Sequence, residues 1–487
     1  MKPAYFEVLS AEEIERIHAT SMDILGNVGV RVDLKRARDD FGAAGADVDE
    51  TSRSVRIPEE IVRSALAKAP KRFTLYGADP DFQMEIGTDR VNFAGLGTPT
   101  KIVDTETGEV RPTTLDDVRN HLRLIDALDH IDNSQMDLWP NDVPMTTIHA
   151  EAMVAWAQNS HTSFGMGTYG VMPTEDMMRM ASIVVGGKEE LKKRPRMFGI
   201  CSVMNPLQMI KLQLEGMYLW AEYRQPLAMS PEAMAGATAP ATLAGLLAQQ
   251  NAEILAHLTL AQLIAPGTPV LYGTVSTITD MATGNVALGS IETSLITAAV
   301  AQLARYYGVP CRSVGGATAS NTLDAQCMLE RAGTLLPAVQ AGVHFITCGG
   351  TIESSMAASH PLLVLDDALC GMALRLARGI EVNDETLALD LIKEVGWQDQ
   401  YLDKLHTAEH CRQEYFFSKV LRRDTRETWE KKGSKTAMDL ASERVREILG
   451  KHEPRQLEPA MEKELLDYLN AVRQRSMADF EAAEWED

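Results

Sequence analysis

Residues 308–326 read GVPCRSVGGATASNTLDAQ. They combine paired glycines, hydroxyl groups, a carboxylate and an amide where a strand-like run gives way to a helical one. Glycine lets backbone groups approach a ligand, and the polar side chains supply hydrogen-bond donors and acceptors. The candidate ligand-binding residues of this segment are Gly315, Gly316, Thr318, Ser320, Asp324 and Gln326. Each of these residues alone is equally typical of a turn or a helix cap. The interpretation therefore depends on how often the chain repeats the transition from a strand-like run to a helical one.

Seven other strand-like runs are followed by residues of the same kinds. The eight runs cover residues 91–96, 131–139, 162–169, 196–203, 226–230, 269–275, 310–315 and 344–349. Helical patterns separate them, and this alternation predicts an α/β fold, the (β/α)8 TIM barrel, whose active site lies at the carboxyl ends of the strands. The residues that the other strand ends would bring to one shared mouth are Gly95, Gly97, Asp137, Trp139, Tyr169, Asn205, Pro231, Glu232, Thr274, Ser276, Gly349, Gly350 and Glu353.

Aromatic residues fall at or near three of the strand ends, as Trp139, Tyr169 and Tyr272. The face of an aromatic ring attracts a cation, although packing beneath loops explains each ring equally well. His360 is the histidine expected nearest the mouth, and its alternative role is to cap or pack the helix that begins near Pro361.

The barrel is predicted over residues 91–378. An N-terminal helical and extended addition over 1–90 precedes it, and a C-terminal helical segment over 379–487 follows it. Ser10 with Glu13 three residues later is typical of a capping box at the start of the first helix. The C-terminal segment is predicted from charged, amphipathic helical patterns, which replace the alternation of strand-like and helical runs.

Familiar catalytic motifs are weak in this sequence. The GMGTYG match at residues 165–170 lies at the third strand, where a dinucleotide fingerprint is not expected. His344 and Cys348 share a face of the eighth strand, but zinc would need further ligands from other strand ends. The sequence therefore predicts no bound metal.

A net charge of −21 argues against binding to nucleic acid or to an anionic membrane surface. The six cysteines are dispersed, which suits free thiols in a reducing compartment. The first residues lack a signal-peptide core, and no run of about 18 apolar residues could span a bilayer. We expect a soluble, cytoplasmic protein.

Several segments together resemble a known family. They are DILGNVGVRV at 23–32, FAGLGTPTKIVD at 93–104, GGATASNTLDAQ at 315–326, GVHFITCGG at 342–350 and TIESSMAASHPLLVLDDAL at 351–369. In their order and spacing they resemble the trimethylamine methyltransferase family of corrinoid-dependent barrel enzymes, over nearly the whole chain. The resemblance implies a methylated amine in the barrel mouth and a corrinoid (cobalamin) carried by a separate partner protein, in methylotrophic or methanogenic metabolism.

The resemblance also implies that members acting on trimethylamine contain pyrrolysine, which this chain lacks. A quaternary ammonium already carries a positive charge, and after it loses a methyl group the remaining tertiary amine is neutral. No proton transfer is therefore required, and the protein has only to position the methyl group. We therefore predict a methyltransferase that moves a methyl group from a quaternary amine of the betaine type, such as glycine betaine, to the Co(I) corrinoid of a partner. The family resemblance further implies a homodimer.

Roles for the mouth residues follow from this prediction, with Glu353, Asp137 and His360 as the candidate catalytic residues. The aromatic faces of Trp139, Tyr169 and Tyr272 would hold the cation, with Glu353 or Asp137 as the carboxylate. A substrate carboxylate would meet Asn205, His360 or the glycine-rich backbone at 315–316 and 349–350.

Two alternatives stay open at the level of sequence. One is a metal-dependent barrel lyase or hydrolase that uses His360, Cys348 and carboxylates. The other is a non-catalytic module that binds quaternary amines or the corrinoid protein.

Overall fold

Eight parallel strands close into a barrel in the computed structural model, which describes residues 5–485 except Leu96 and Gln398. The strands are β1 (Asn92–Ala94), β2 (Ile131–Gln135), β3 (Phe164–Gly167), β4 (Met197–Val203), β5 (Leu227–Pro231), β6 (Val270–Thr274), β7 (Cys311–Val314) and β8 (Phe345–Thr347). Each pairs with its neighbours in chain order, and β8 pairs with β1. The predicted TIM barrel and its eight strands are confirmed, while Leu96, predicted as the end of the first strand, lies outside the described residues.

One helix follows each strand before the next begins. The barrel helices are α1 (Leu115–Ala127), α2 (Ile148–Asn159), α3 (Val171–Val185), α4 (Lys211–Glu222), α5 (Leu243–Ile264), α6 (Ile291–Tyr307), α7 (Ala325–Gln340) and α8 (His360–Arg378). A short helix, Lys188–Lys193, precedes β4. Small strand pairs lie in the loops beyond the strand ends, at Lys101–Val103, Val110–Pro112, Met234–Ala235, Thr277–Ile278, Thr351–Ile352 and Ala357–Ala358.

The N-terminal addition contains strands as well as the predicted helices. Its elements are Ala11–Asp23, Ile24–Val28, Val30–Val32, Lys35–Ala43, Asp47–Asp49, Ser54–Arg56, Glu59–Lys68, Phe73–Tyr76 and Gln83–Ile86. Ser10 and Glu13 form the expected capping box. The last two strands form a hairpin whose Leu75 and Met84 pack in one buried cluster with Phe198 and Phe345 from the barrel interior. The hairpin therefore closes the barrel at the amino ends of its strands.

The C-terminal segment is helical. Its helices are Asp384–Leu387, Leu389–Val395, Leu405–Glu414, Arg426–Lys431, Ala437–Lys451, Pro459–Val472 and Met477–Trp485. The last three pack against α8, α2 and α3 of the barrel. No described helix is both long and apolar enough to cross a membrane.

Small residues inside the barrel make room for the aromatic floor. A Cβ atom at Gly165 of β3 would lie 2.3 Å from the Phe198 ring. The Phe198 ring packs edge to face on Phe345, with 5.1 Å between centroids. These two rings fill the barrel interior at the level that we call the floor. Space for a ligand is therefore expected on the side of the rings toward the carboxyl ends of the strands.

We expect Gly165→Ala to destabilise the protein by about 1–3 kcal/mol, because the Phe198 ring must leave its packed position. Urea unfolding measures the change. Gly333→Ala on α7 is the matched control, since a Cβ there meets no atom within 4 Å and alanine favours a helix. Equal stability of the two variants would contradict this account of the floor.

Candidate active site in the barrel mouth

A cavity of about 440 Å³ lies at the carboxyl ends of the strands. Every strand or the loop that follows it contributes to the wall. The polar groups of the wall belong to Thr98, Gln135, Tyr169, Ser202, Glu232, Thr277, Arg312, Ser354 and Ser355, and four methionines, Met136, Met166, Met234 and Met356, supply much of the apolar surface. An apolar pocket with a few convergent polar groups is the usual form of a small-molecule site.

Two residues of opposite charge lie in the wall of this cavity. Glu232 directly follows β5, and its accessible surface opens onto the cavity that it lines. Arg312 is the second residue of β7 and is buried; its Nη1 donates to Ser230 Oγ at 3.0 Å, and its Nε has no partner among the described residues. The described residues therefore use only part of the hydrogen-bonding capacity of Arg312.

Burial shifts both ionisation equilibria toward the neutral forms. Loss of water around the carboxyl group raises the pKa of Glu232, while the Arg312 charge and the Ser202 hydroxyl act in the opposite direction. Burial lowers the pKa of Arg312 to about 10, and Glu232 opposes that shift. Arg312 therefore stays charged at neutral pH.

Gln135 and Tyr169 complete the polar wall. Gln135 Nε2 donates to the Gly95 carbonyl at 3.0 Å, which leaves its buried Oε1 without a partner among the described residues. The Tyr169 ring folds back over Gly167, where a Cβ would lie 2.2 Å from it. Burial raises the pKa of Tyr169 to about 12, so the phenol is neutral.

A second, mainly apolar cavity of about 270 Å³ lies behind Tyr169, and Met136 and Tyr169 line both cavities. Trp139 lines this second cavity and meets the Tyr169 ring edge to face at 6.4 Å. The C-terminal helix Met477–Trp485 forms its outer wall. Glu484 holds that helix in place, because its carboxylate accepts the backbone N–H groups of Val171 and Met172 at the start of α3.

The loop after β8 is strained. Glu353, Ser354 and Ser355 are consecutive non-glycine residues with φ of 54°, 49° and 72°, and conformations of this kind cost about 1–3 kcal/mol each. Glu353 N donates to the Ser320 carbonyl at 2.8 Å and Ser354 N to the Thr318 carbonyl at 2.9 Å. The segment 315–326 thus supports the loop that places Ser354 and Ser355 at the cavity.

A buried ion pair supports the same loop from below. Arg331 Nε donates to Asp366 at 2.6 Å, and Arg331 Nη1 donates to the Thr351 carbonyl at 2.6 Å. Asp366 also accepts the Gly350 N–H at 2.7 Å. Gly350 has a φ of 73°, which places its backbone in the region that favours glycine.

Asp137 and His360, two of the residues predicted as catalytic, lie near each other but not on the cavity wall. Asp137 accepts from Ser134 Oγ at 3.0 Å and meets His121 Nε2 at 3.1 Å, and the His121 ring lies 5.8 Å from that of His360. Burial raises the pKa of Asp137 and lowers that of His360 to about 3. Glu353, the third, is also absent from the described wall. Their catalytic roles stay predictions.

Most of the other predicted binding residues have partners within the chain. Asn205 donates to Glu253, Tyr272 to Asn251 at 2.7 Å, and Thr318 and Gln326 to Glu330. Asp324 caps α7 and also meets the hydroxyl of Ser320. Side chains of neighbouring residues pack against Gly315, Gly316 and Gly349. Of the residues predicted to bind substrate, Tyr169 lies on the wall of the main cavity and Trp139 on that of the second.

The sequence reading did not select Arg312, Gln135 or Ser202 as site residues, and it placed Glu232 at the mouth without giving it a role. One signal was present: a charged residue, Arg312, in the middle of an otherwise buried strand. Such a residue is rarely buried unless it is paired or functional.

No group of three or more histidine, cysteine, aspartate or glutamate side chains is placed to hold a metal ion within the described residues. Cys348, which the metal-dependent alternative would use, instead lies with its sulfur 3.4 Å from that of Cys370.

Comparison with known proteins identifies the class. Residues 2–478 match the model of the trimethylamine methyltransferase (MTTB) family, and the chain belongs to this family. A glycine betaine methyltransferase of Desulfitobacterium hafniense strain Y51 is 33% identical over 95% of this chain and 96% of its own length. Trimethylamine methyltransferase MttB of D. hafniense strain DSM 10664 / DCB-2 is 34% identical over 93% and 91%. The predicted family and methyltransferase class are confirmed.

A solved structure shares the fold. The hydroxylamine complex of MtmB superposes with a TM-score of 0.50 at 11% identity, over 92% of this chain and 96% of that one. At this identity the likeness supports the fold alone.

Binding of a small cation such as tetramethylammonium should weaken as the pH falls. The raised pKa of Glu232 means that its charge is lost at a higher pH than that of a glutamate in free solution, while Arg312 keeps its charge. Calorimetric titration at several pH values measures the effect. Glu232→Gln should bind weakly at every pH; a pH dependence that survives this substitution would assign the titration to another group.

Proposed function

We propose that this protein transfers a methyl group from a betaine, a quaternary amine that also carries a carboxylate, to the Co(I) corrinoid of a partner protein. The observation that carries the proposal is the placement of Glu232 and Arg312 in one cavity at the barrel mouth. A betaine presents the opposite charges, an onium group and a carboxylate, within one small molecule. The relative described as a glycine betaine methyltransferase supports the same substrate class.

Each end of such a substrate has a partner in the cavity. The onium group has the Glu232 carboxylate and the neutral Tyr169 ring, since rings and carboxylates both attract a cation that cannot donate a hydrogen bond. The substrate carboxylate has the Arg312 guanidinium, whose Nε meets no partner among the residues that the structure describes. Methionine side chains adapt to the shape of the N-methyl groups.

The chemistry requires positioning more than proton transfer. The corrinoid, when its protein is docked, supplies a Co(I) lone pair that bonds to the methyl carbon. The electrons of the broken C–N bond remain on nitrogen, so the product amine leaves neutral and no proton moves. The residues of this chain bind the substrate, orient one methyl group and exclude water, which is a proximity effect.

The surface around the mouth fits a docked partner. Exposed apolar side chains stand on the loops that follow β2, β4, β6 and β8, as Met145, Met204, Met281 and Met356. Flexible methionine side chains form surfaces that a second protein can cover. We propose that a corrinoid-binding protein docks on this rim, that the enzyme acts in the cytoplasm, and that the chain pairs as a homodimer.

The test mixes the protein with its substrate and with a Co(I) corrinoid protein or free cob(I)alamin. Glycine betaine, proline betaine, carnitine, choline and trimethylamine are compared. We expect methyl-Co(III) absorbance with one of the betaines and none with trimethylamine. Turnover of trimethylamine alone would refute the substrate class, and tight binding without any spectral change would favour the non-catalytic alternative.

Arg312→Gln should affect binding of the two ends of the substrate differently. It removes a charge-assisted contact to the carboxylate, so affinity for a betaine should fall about 10- to 100-fold. Affinity for tetramethylammonium should hold or rise, because Glu232 no longer faces a competing cation. Glu232→Gln should weaken both ligands. Equal losses for both ligands in Arg312→Gln would show that Arg312 does not read the carboxylate.

A further inference from the structure

The first part of the C-terminal segment exposes large apolar side chains to solvent. Within residues 380–417, which we name the arm, these include Ile380, Val382, Leu405 and Phe417, and above all Trp397 and Leu402, which are 90% and 81% exposed. Single exposed apolar residues are ordinary, but the largest apolar patch of a typical monomer is about 300–600 Å². Each large, mostly exposed side chain adds on the order of 100 Å², so the arm as a whole exceeds that range.

The helices of the arm have almost no packing of their own. Among the described residues, Asp384–Leu387 and Leu405–Glu414 bury no side chain, and Leu389–Val395 buries Val395 alone. These helices also make only sparse contacts with other elements. Helices shorter than about 12 residues are marginal in water without tertiary packing. The arm therefore needs a surface that covers it for most of its lifetime.

The arm is attached at the end of the barrel opposite the mouth. The arm begins directly after α8, whose 19 residues run for about 28 Å away from the carboxyl ends of the strands. Arg375 donates to the Glu414 carbonyl and pairs with its carboxylate at 3.0 Å. Phe416 packs beside His130, which directly precedes β2. A partner that docks over the mouth thus has no need to touch the arm.

We propose that the arm packs on a second copy of this chain. A protein that delivers a corrinoid must bind and leave in every cycle, and transient interfaces are no more apolar than the rest of a surface. An apolar surface kept covered is typical of permanent, mostly homo-oligomeric assemblies. A stable interface buries about 800 Å² on each partner, which the arm can supply. This proposal locates the self-association proposed above and does not depend on the reaction.

The test compares two exposed apolar positions, Leu402 in the arm and Met281 on the mouth rim, which is 78% exposed. Molar mass is measured by size exclusion with light scattering, and far-UV circular dichroism reports that the barrel is folded. We expect an assembly for the wild type, a single-chain mass for Leu402→Glu with the wild-type circular dichroism spectrum retained, and an unchanged mass for Met281→Glu.

Hydrogen exchange across residues 384–414 gives a second readout. The amides should be protected in the wild-type assembly and lose at least tenfold of that protection in Leu402→Glu. A wild-type protein that is a single chain with unprotected arm amides would overturn the proposal. So would an unchanged mass in Leu402→Glu together with lost binding of the corrinoid protein, which would assign the arm to that partner. Neither result would bear on methyl transfer itself.

Discussion

The mouth of this barrel is organised by two opposite charges held in a confined cavity. Arg312 is buried; taking such an ion out of water costs several kcal/mol, and the charge of the Glu232 carboxylate offsets part of that cost. Loss of water shifts both pKa values toward the neutral forms, and Arg312 Nε has no partner within the part of the chain that the structure describes. A zwitterionic ligand would supply a counter-charge to each. The cavity is thus better matched to a ligand with both charges than to water.

The surrounding structure serves to keep these groups in place. The aromatic floor of Phe198 and Phe345 and the N-terminal hairpin close the barrel below the cavity. Above it, the segment 315–326 and the Arg331–Asp366 pair hold a strained loop whose serines line the wall. Strain of this kind persists only where neighbouring contacts over-determine the backbone. The segment 315–326 therefore supports the loop through its backbone carbonyl groups, and its side chains hold the segment itself.

The fold was predictable because the strands of a parallel barrel are buried on both faces and read as apolar runs at regular intervals. The site was less predictable from the sequence, because the direction of each side chain decides whether it lines the cavity. Tyr169 reaches the cavity because Gly167 leaves room for its ring, whereas Asp137 contacts His121 and lies off the wall. Both residues follow a strand end, and only the packing distinguishes them. Arg312 carried the clearest sequence signal, a charge inside a buried strand.

The ionisation states in the cavity favour an electrostatic clamp over acid–base catalysis. Tyr169, with a pKa of about 12, and Arg312, with a pKa of about 10, both keep their protons at neutral pH. Among the residues argued to contact substrate, Glu232 is the acid whose pKa is raised, by loss of water around its carboxyl group. A methyl group that leaves a quaternary nitrogen needs no proton donor, because the departing amine is already neutral. The residues of this wall are therefore suited to a substrate whose positive charge is permanent and whose leaving group requires no activation.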